Sequence, residues 1–131
     1  MIELRDNRLV FSFSEIHEDA KFSVEFQRTL RIPDDNREYS LPPGFGRFPL
    51  LHVDDFADNL PRAWEKHGGV FLPMYQAEAL WLNFESDYPF AVKVAAGKID
   101  ATTGEDWTDN LQTNPQNSLA PPEQPWTAGF W

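Results

Sequence analysis

The segment KFSVEFQRTLRI (residues 21–32) decides the fold class, because its apolar residues recur at every second position. One set of alternate positions holds large apolar side chains: Phe22, Val24, Phe26, Leu30 and Ile32. The intervening set is polar: Ser23, Glu25, Gln27 and Thr29. A period of two is typical of a β-strand with one face buried and the other in water. We therefore expect a strand here, with the apolar set buried and the polar set exposed.

Four further segments carry strand patterns. RLVFSFS (8–14) alternates in the same way, and the polar turn EIHEDA (15–20) joins it to the first strand as an antiparallel pair. VFLPM (70–74) and LWLNFES (80–86) are short apolar strands. YPFAVKVAAGKID (88–100) predicts one more, and three side chains share its apolar face: Phe90, Val92 and Val94.

Two short helices separated by a break are expected in VDDFADNLPRAWEKHGG (53–69). Asp54 or Asp55 can cap the first helix, Asn59 can cap the second, and the Gly68–Gly69 pair would end it. The next stretch, FLPMYQAEALWLNF (71–84), changes period. Its YQAEALW part predicts a helical turn or two, and the remainder alternates as a strand, so we expect a core segment with its polar residues at a wet rim.

The other segments are rich in proline. IPDDNREYSLPPGFGRFPL (32–50) holds four prolines and two glycines, which indicates a loop or an edge segment. Four large side chains would fasten it to the domain: Tyr39, Leu41, Phe45 and Phe48. We expect the polar tail after Asp100 to pack back over the sheet as an extended strap, with Trp126 as its main anchor. If the chain is whole, Trp131 should be less buried than Trp107 or Trp126; if it is a fragment, GFW (129–131) should lead into or lie against another chain.

Together these patterns predict an α+β fold, in which a mainly antiparallel sheet of about five strands carries two or three short helices and an extended Pro-rich C-terminal strap. Residues 1–131 are expected to form a single domain, either whole or as the N-terminal part of a longer protein.

Charge and composition limit the partners. Eleven basic and twenty-one acidic residues give a net charge of −10, a field that repels nucleic acid and anionic membranes. There is no cysteine, so disulfides, thiolate zinc sites and a cysteine nucleophile are excluded. No apolar run approaches the ~20 residues of a membrane-spanning helix. The default expectation is a soluble, acidic, cytoplasmic protein.

Motifs for metal or covalent chemistry are weak in this sequence. His52 and Asp54 lie two residues apart, but no histidine pair has the spacing of a helical zinc site. DATTGEDWTDN (100–110) departs from a calcium loop, because Gly104 falls at the fifth position rather than the sixth. No G-x-S-x-G or phosphate-binding loop occurs. We therefore predict no catalytic residue, no metal ligand and no cofactor.

Two cations interrupt apolar patterns and are binding candidates. Arg28 falls on the apolar face of its strand, and Lys93 interrupts FAVKVAAG. Either both are structural, with Arg28 paired to a loop carboxylate and Lys93 reaching water from an edge, or they form an anion-recognition pair. With the polar rim of the 71–84 stretch, the candidate binding residues are Arg28, Tyr75, Gln76, Glu78 and Lys93.

The five tryptophans allow two interpretations. They could form a stacking platform for a sugar or a peptide, or they could close a small core or a contact between domains. They are Trp64, Trp81, Trp107, Trp126 and Trp131.

Four blocks resemble a family of uncharacterised bacterial proteins that is common in actinobacteria. The blocks are RIPDDNREYSLPPGFGRFPL, GGVFLPMYQAEALWLNF, YPFAVKVAAGKIDATTGEDW and PEQPWTAGFW, and the resemblance covers about residues 28–131. It implies a bacterial source and a longer chain, since members that resemble it continue past the position of Trp131. It implies no activity and no catalytic residue.

Two functions remain open on this evidence. The first is a non-enzymatic binding or scaffold module that contacts another protein or a following domain. The alternative is a hydrolase-like enzyme with an acidic, Arg-assisted pocket containing His52 and Asp54. A flat aromatic patch would favour the module, and a convergent histidine–carboxylate cluster in a concave pocket would favour the enzyme.

Overall fold

The structure is a computed structural model, and it describes residues 1–31, 35, 37, 43–113, 116–122 and 124 in full and residues 126–130 by their backbone. Its strands are β1 (Ile2–Arg5), β2 (Arg8–Ser12), β3 (Lys21–Leu30), β4 (Leu51–His52), β5 (Val70–Phe71), β6 (Glu78–Ser86), β7 (Ala95–Ala96), β8 (Ile99–Asp100) and β9 (Trp126–Phe130). Its helices are a 3₁₀ helix (Val53–Asn59) and α1 (Arg62–His67). The α+β class with antiparallel sheets is confirmed. The expectation of one sheet is wrong, because β4–β5 and β7–β8 form two small sheets of their own.

The main sheet has the order β1-β2-β3-β6-β9, and every neighbouring pair is antiparallel. The centre is β3, which pairs with β6 from Phe22 opposite Ser86 to Leu30 opposite Glu78. On its other edge, the first half of β3 pairs with β2. The second half is bonded by the segment 45–48, whose Phe48 N–H donates to the Phe26 carbonyl over 2.8 Å. β3 therefore has neighbours on both sides along most of its length.

The apolar face of this sheet carries the core. The buried residues are Val24, Leu82, Phe84 and Leu119, and partly buried apolar residues surround them: Leu9, Phe11, Phe22, Phe26, Leu80, Val92 and Val94. Leu119 comes from the tail, and its backbone exchanges two 2.8 Å hydrogen bonds with Val92. The tail thus meets the sheet at Leu119 and again through the backbone of β9. The proposed anchoring of Trp126 and the exposure of Trp131 lie outside the described side chains, as do Tyr39 and Leu41.

The opposite face of the main sheet, the polar face, differs from the sequence-based expectation. Glu25 and Thr29 are buried although both were predicted to be exposed, and Leu30 is exposed although it was predicted to be buried. The chain folds back over this face, because the Thr29 hydroxyl donates to the Pro43 carbonyl over 3.0 Å. Gly44 fits closely there, since a Cβ at that position would lie 2.5 Å from the Gln27 side-chain oxygen.

Three strand or helix assignments were not predicted correctly. The single strand expected over residues 88–100 is wrong, because the backbone there has an isolated bridge at Val92 followed by the short β7–β8 hairpin. Strand β1 was missed, and it is joined to β2 by Asp6 and Asn7, whose positive φ angles of 51° and 60° suit a two-residue hairpin turn. The helical turns predicted over 75–81 are wrong, because β6 already begins at Glu78. Continuous pairing of β6 with β3 outweighs the helical composition of the segment.

The segment between β4 and β5 contains the two short helices that were predicted. Gly68 and Gly69 end α1 with φ angles of 69° and 93°, as expected. The capping predictions are wrong, since neither helix has a side-chain cap and Pro61, not Asn59, precedes α1. The β4–β5 pairing and the 2.9 Å bond from the Val53 N–H to the Gly69 carbonyl close this segment into a compact unit. None of the described helices has the length and apolar character needed to cross a membrane.

Candidate functional site

The two short helices and β5 enclose an open, mainly apolar groove, which we call the aromatic groove. Its volume is about 260 Å³, and it is lined by Val53, Ala63, Trp64, His67, Gly68, Val70 and Phe71. The lining contains one ionisable side chain, that of His67. The volume lies slightly below the range of about 300–1,000 Å³ that is common for small-molecule sites. The groove therefore has room for one large side chain rather than for a cofactor.

Three aromatic rings form a contact chain at the aromatic groove. The rings of Phe56 and Phe71 meet edge to face with centroids 5.7 Å apart, and the centroids of Trp64 and Phe71 are 6.0 Å apart. Phe56 remains 40% exposed and Trp64 46% exposed. Phe71 is held in place by the pairing of β4 with β5. The rings of Phe56 and Trp64 project from the two helices beside it and are only partly covered by the described residues.

Sequence reasoning did not assemble this groove. A usable signal was present in RAWEKH, the sequence of α1, in which one tryptophan is the only large apolar residue among charged neighbours. Such a helix cannot bury a complete apolar stripe, and its single ring must either pack locally or remain available. Trp64 does both, since it touches Phe71 and stays half exposed.

Four of the five predicted binding residues lie together at one end of the main sheet. Arg28 Nε lies 3.2 Å from Glu78 Oε2, and the same guanidinium stands 4.6 Å from the centroid of Phe48. The Tyr75 N–H donates to Glu78 Oε1 over 3.1 Å, and the Gln76 carbonyl accepts a bond from Arg31. The Arg28 partner is thus a carboxylate on the adjacent strand β6, not the loop carboxylate that the sequence suggested.

The fifth residue, Lys93, belongs to a different cluster. Its Nζ lies 3.8 Å from Asp100 Oδ2, donates to the carbonyls of Thr108 and Asn110, and stands 4.4 Å from the ring centroid of Trp107. The Lys93 side chain is only 9% exposed and that of Asp100 only 2%. The expectation that Lys93 reaches water from an edge is therefore wrong, and each of the two cations has its own carboxylate.

The polar face holds a third cluster, around Glu25, that sequence reasoning missed. Glu25 Oε1 accepts bonds from Gln27 over 2.8 Å and from Asn83 over 3.1 Å, and its Oε2 accepts one from Arg8 over 3.2 Å. Arg47 lies 3.6 Å from the same oxygen. Burial acts to raise the pKa of Glu25, but the hydrogen bonds from Gln27, Asn83 and Arg8 outweigh it and hold the pKa below its usual 4.5.

This lowered pKa predicts a pH-dependent stability. A carboxyl whose pKa is lower in the folded state stabilises the fold above its unfolded-state pKa, and the contribution disappears as the pH falls through the folded value. At about pH 7 we expect Glu25→Gln to lower the free energy of unfolding by about 1–3 kcal/mol, because Arg8 and Arg47 lose a charged acceptor. Below the ordinary value of 4.5, the difference from wild type should shrink. Urea unfolding across this pH range measures both effects.

The matched control is Glu85→Gln on the same face, since the Glu85 side chain is exposed and lies 3.7 Å from Arg8. It should change the free energy of unfolding by less than about 0.5 kcal/mol. A Glu25→Gln difference that stays constant from neutral to acidic pH would contradict the assigned role of the carboxylate.

The hydrolase-like alternative depended on His52 and Asp54. Both side chains are exposed, and neither lines the aromatic groove. A second groove, of about 470 Å³, runs over the polar face near Arg8 and Glu85, and it is lined by residues of both charges without a histidine. Within the described part of the chain, no group of three or more His, Asp or Glu side chains is placed to hold a metal ion.

The three tryptophans whose side chains are described have different surroundings. Trp64 lies at the aromatic groove, Trp107 lies against the Lys93 ammonium, and the Trp81 ring lies beside Gly44. They do not form one stacking platform. No protein-family model, no curated protein and no solved structure matches this chain. The resemblance to an actinobacterial family therefore stays a prediction.

Proposed function

We propose that this protein is a non-enzymatic binding module that contacts another protein through the aromatic groove. The observation that carries the proposal is the half-exposed Trp64 ring beside Phe56 and Phe71. Aromatic side chains are enriched in protein interfaces, and tryptophan is prominent among the residues that dominate binding energy. Clustered exposed rings cost solvation energy in a free monomer, and a partner that covers them removes that cost.

The size and lining of the groove support a protein partner over a small molecule. The groove offers apolar surface and one histidine, and small-molecule sites combine such surface with several convergent polar groups. An apolar side chain of a partner would pack against Trp64 and Phe71 in the groove. The partner's backbone would stay outside, at the mouth of the groove. This is the arrangement of a binding hot spot surrounded by weaker contacts.

Selection of peptides from a random dodecapeptide display library against the folded chain tests this function. We expect enriched peptides to carry a large apolar residue, and Trp64→Ala to weaken their binding at least about tenfold, as loss of a central aromatic anchor does. Phe45→Ala is the matched control, because Phe45 is a 57% exposed aromatic residue that does not line the groove. Peptides that bind the wild type and Trp64→Ala equally well would contradict the assignment of the groove.

A further inference from the structure

The charges around the aromatic groove are unevenly distributed. The 3₁₀ helix on one side contributes three exposed aspartates, Asp54, Asp55 and Asp58, and no basic residue. Helix α1 on the other side is mixed, with Arg62 and Lys66 beside a glutamate. In the described part of the chain, none of the three aspartates forms an ion pair. None of the three aspartates lines the groove itself; they form an acidic surface on the 3₁₀ helix beside it, which we call the acidic rim.

We propose that the groove receives a protein segment in which one large apolar side chain is flanked by lysine or arginine, with the basic residues lying along the 3₁₀ helix. This inference rests on the proposed function and adds the chemistry of the partner. The apolar residue would occupy the space between Trp64 and Phe71. The basic residues would meet the three aspartates, which lie on the same helix as Val53 in the floor of the groove.

Charge complementarity determines this choice of occupant. Each exposed ion pair contributes little, so the apolar contact supplies most of the affinity. Opposite charges accelerate association and suppress wrong partners, and the net charge of −10 repels acidic segments at long range. A basic segment is attracted both by the whole chain and by the acidic rim, whereas an acidic segment is repelled by both.

The test uses three synthetic nonapeptides with the same central phenylalanine and with lysine, serine or glutamate at the four flanking positions. Binding is followed by backbone amide shifts of groove residues such as Ala63, Gly68 and Val70. We expect the lysine peptide to bind about five- to tenfold more tightly than the serine peptide at low salt, and the glutamate peptide to bind most weakly. The preference should fall as salt screens the charges.

Two variants with the same change in net charge distinguish the effect of the acidic rim on peptide preference from the effect of the overall negative charge. Asp54→Asn, Asp55→Asn and Asp58→Asn together remove three charges from the 3₁₀ helix beside the groove. The control variant removes three exposed charges from the β2–β3 turn: Glu15→Gln, Glu18→Gln and Asp19→Asn. The rim variant should lose the preference for lysine over serine, and the turn variant should keep it.

Each remaining outcome has a defined meaning. If the three peptides shift the groove amides with equal affinity, the groove is a docking site without charge selection, and only this inference is overturned. If both triple variants lose the lysine preference equally, the overall field rather than the rim selects the partner, which also overturns it. If no peptide shifts the groove amides, the proposed function is contradicted as well.

Discussion

Replacing Lys93 by methionine should lower the free energy of unfolding by about 3–5 kcal/mol, because it removes one partner of a buried ion pair. The Asp100 carboxylate would remain 2% exposed without its cation 3.8 Å away. The carbonyls of Thr108 and Asn110 would lose their donor at the same time. For a domain of this size, the melting temperature should fall by on the order of 10–20 °C. Thermal and urea unfolding at neutral pH measure the change.

Lys98→Met is the matched control, because Lys98 is an exposed lysine in the β7–β8 hairpin, five residues after Lys93. Its effect should stay within about 0.5 kcal/mol. In the Lys93→Met background, Asp100→Asn should recover part of the loss, since it removes the unpaired charge and keeps an oxygen for the Thr102 N–H. If Lys93→Met is as stable as Lys98→Met, the ion pair does not organise this part of the chain.

Sequence reasoning placed Lys93 in a strand over residues 88–100, which is wrong, because β7 begins only at Ala95, and it also missed the environment of Lys93. Its neighbours Val92 and Val94 were expected on one face, and both pack against the core. The groups that contact the ammonium come from residues 100–110, which sequence reasoning considered only as a possible calcium loop. These contacts form only when the chain folds, because they join Lys93 to an irregular segment later in the sequence. The alternation of apolar residues around Lys93 therefore could not predict them.

The strands at the centre of the sheet were the most predictable part of the fold. Alternation of apolar residues correctly located β2, β3 and β6, because burying one face of a sheet imposes a period of two on the sequence. The same pattern could not reveal that Glu25 is buried on the other face. Its partners Arg8 and Asn83 come from two other strands, and Arg47 comes from the end of the Pro-rich stretch.

The aromatic groove was the least predictable part of the candidate site. Phe56, Trp64 and Phe71 belong to three different elements, and each sits in a segment too short for periodicity to assign a buried face. What brings them together is the pairing of β4 with β5, which closes the helices into one unit. Four predicted binding residues did cluster, because Arg28 and Glu78 occupy diagonal positions on paired strands.

Phe48→Ala should also cost about 3–5 kcal/mol, because it removes a fully buried ring and leaves a cavity. Phe48 is 0% exposed and lies within the Pro-rich stretch 32–50, which it was expected to fasten to the domain. Its backbone N–H donates a hydrogen bond to Phe26 of β3, and its ring centroid lies 4.6 Å from the Arg28 guanidinium. The loss therefore includes a cation–π contact as well as apolar burial. Chemical denaturation of the variant measures the effect.

Phe45→Ala provides the comparison within the same segment, because Phe45 is 57% exposed. It should cost less than about 1 kcal/mol, so the ratio of the two effects depends on burial and not on the loss of a phenylalanine as such. Phe48→Leu separates the two contributions at Phe48 itself, since leucine refills most of the volume but offers no ring face to Arg28. Its cost should fall between those of the two alanine variants. Equal costs for Phe45→Ala and Phe48→Ala would mean that the 45–48 segment does not pack against β3 in solution.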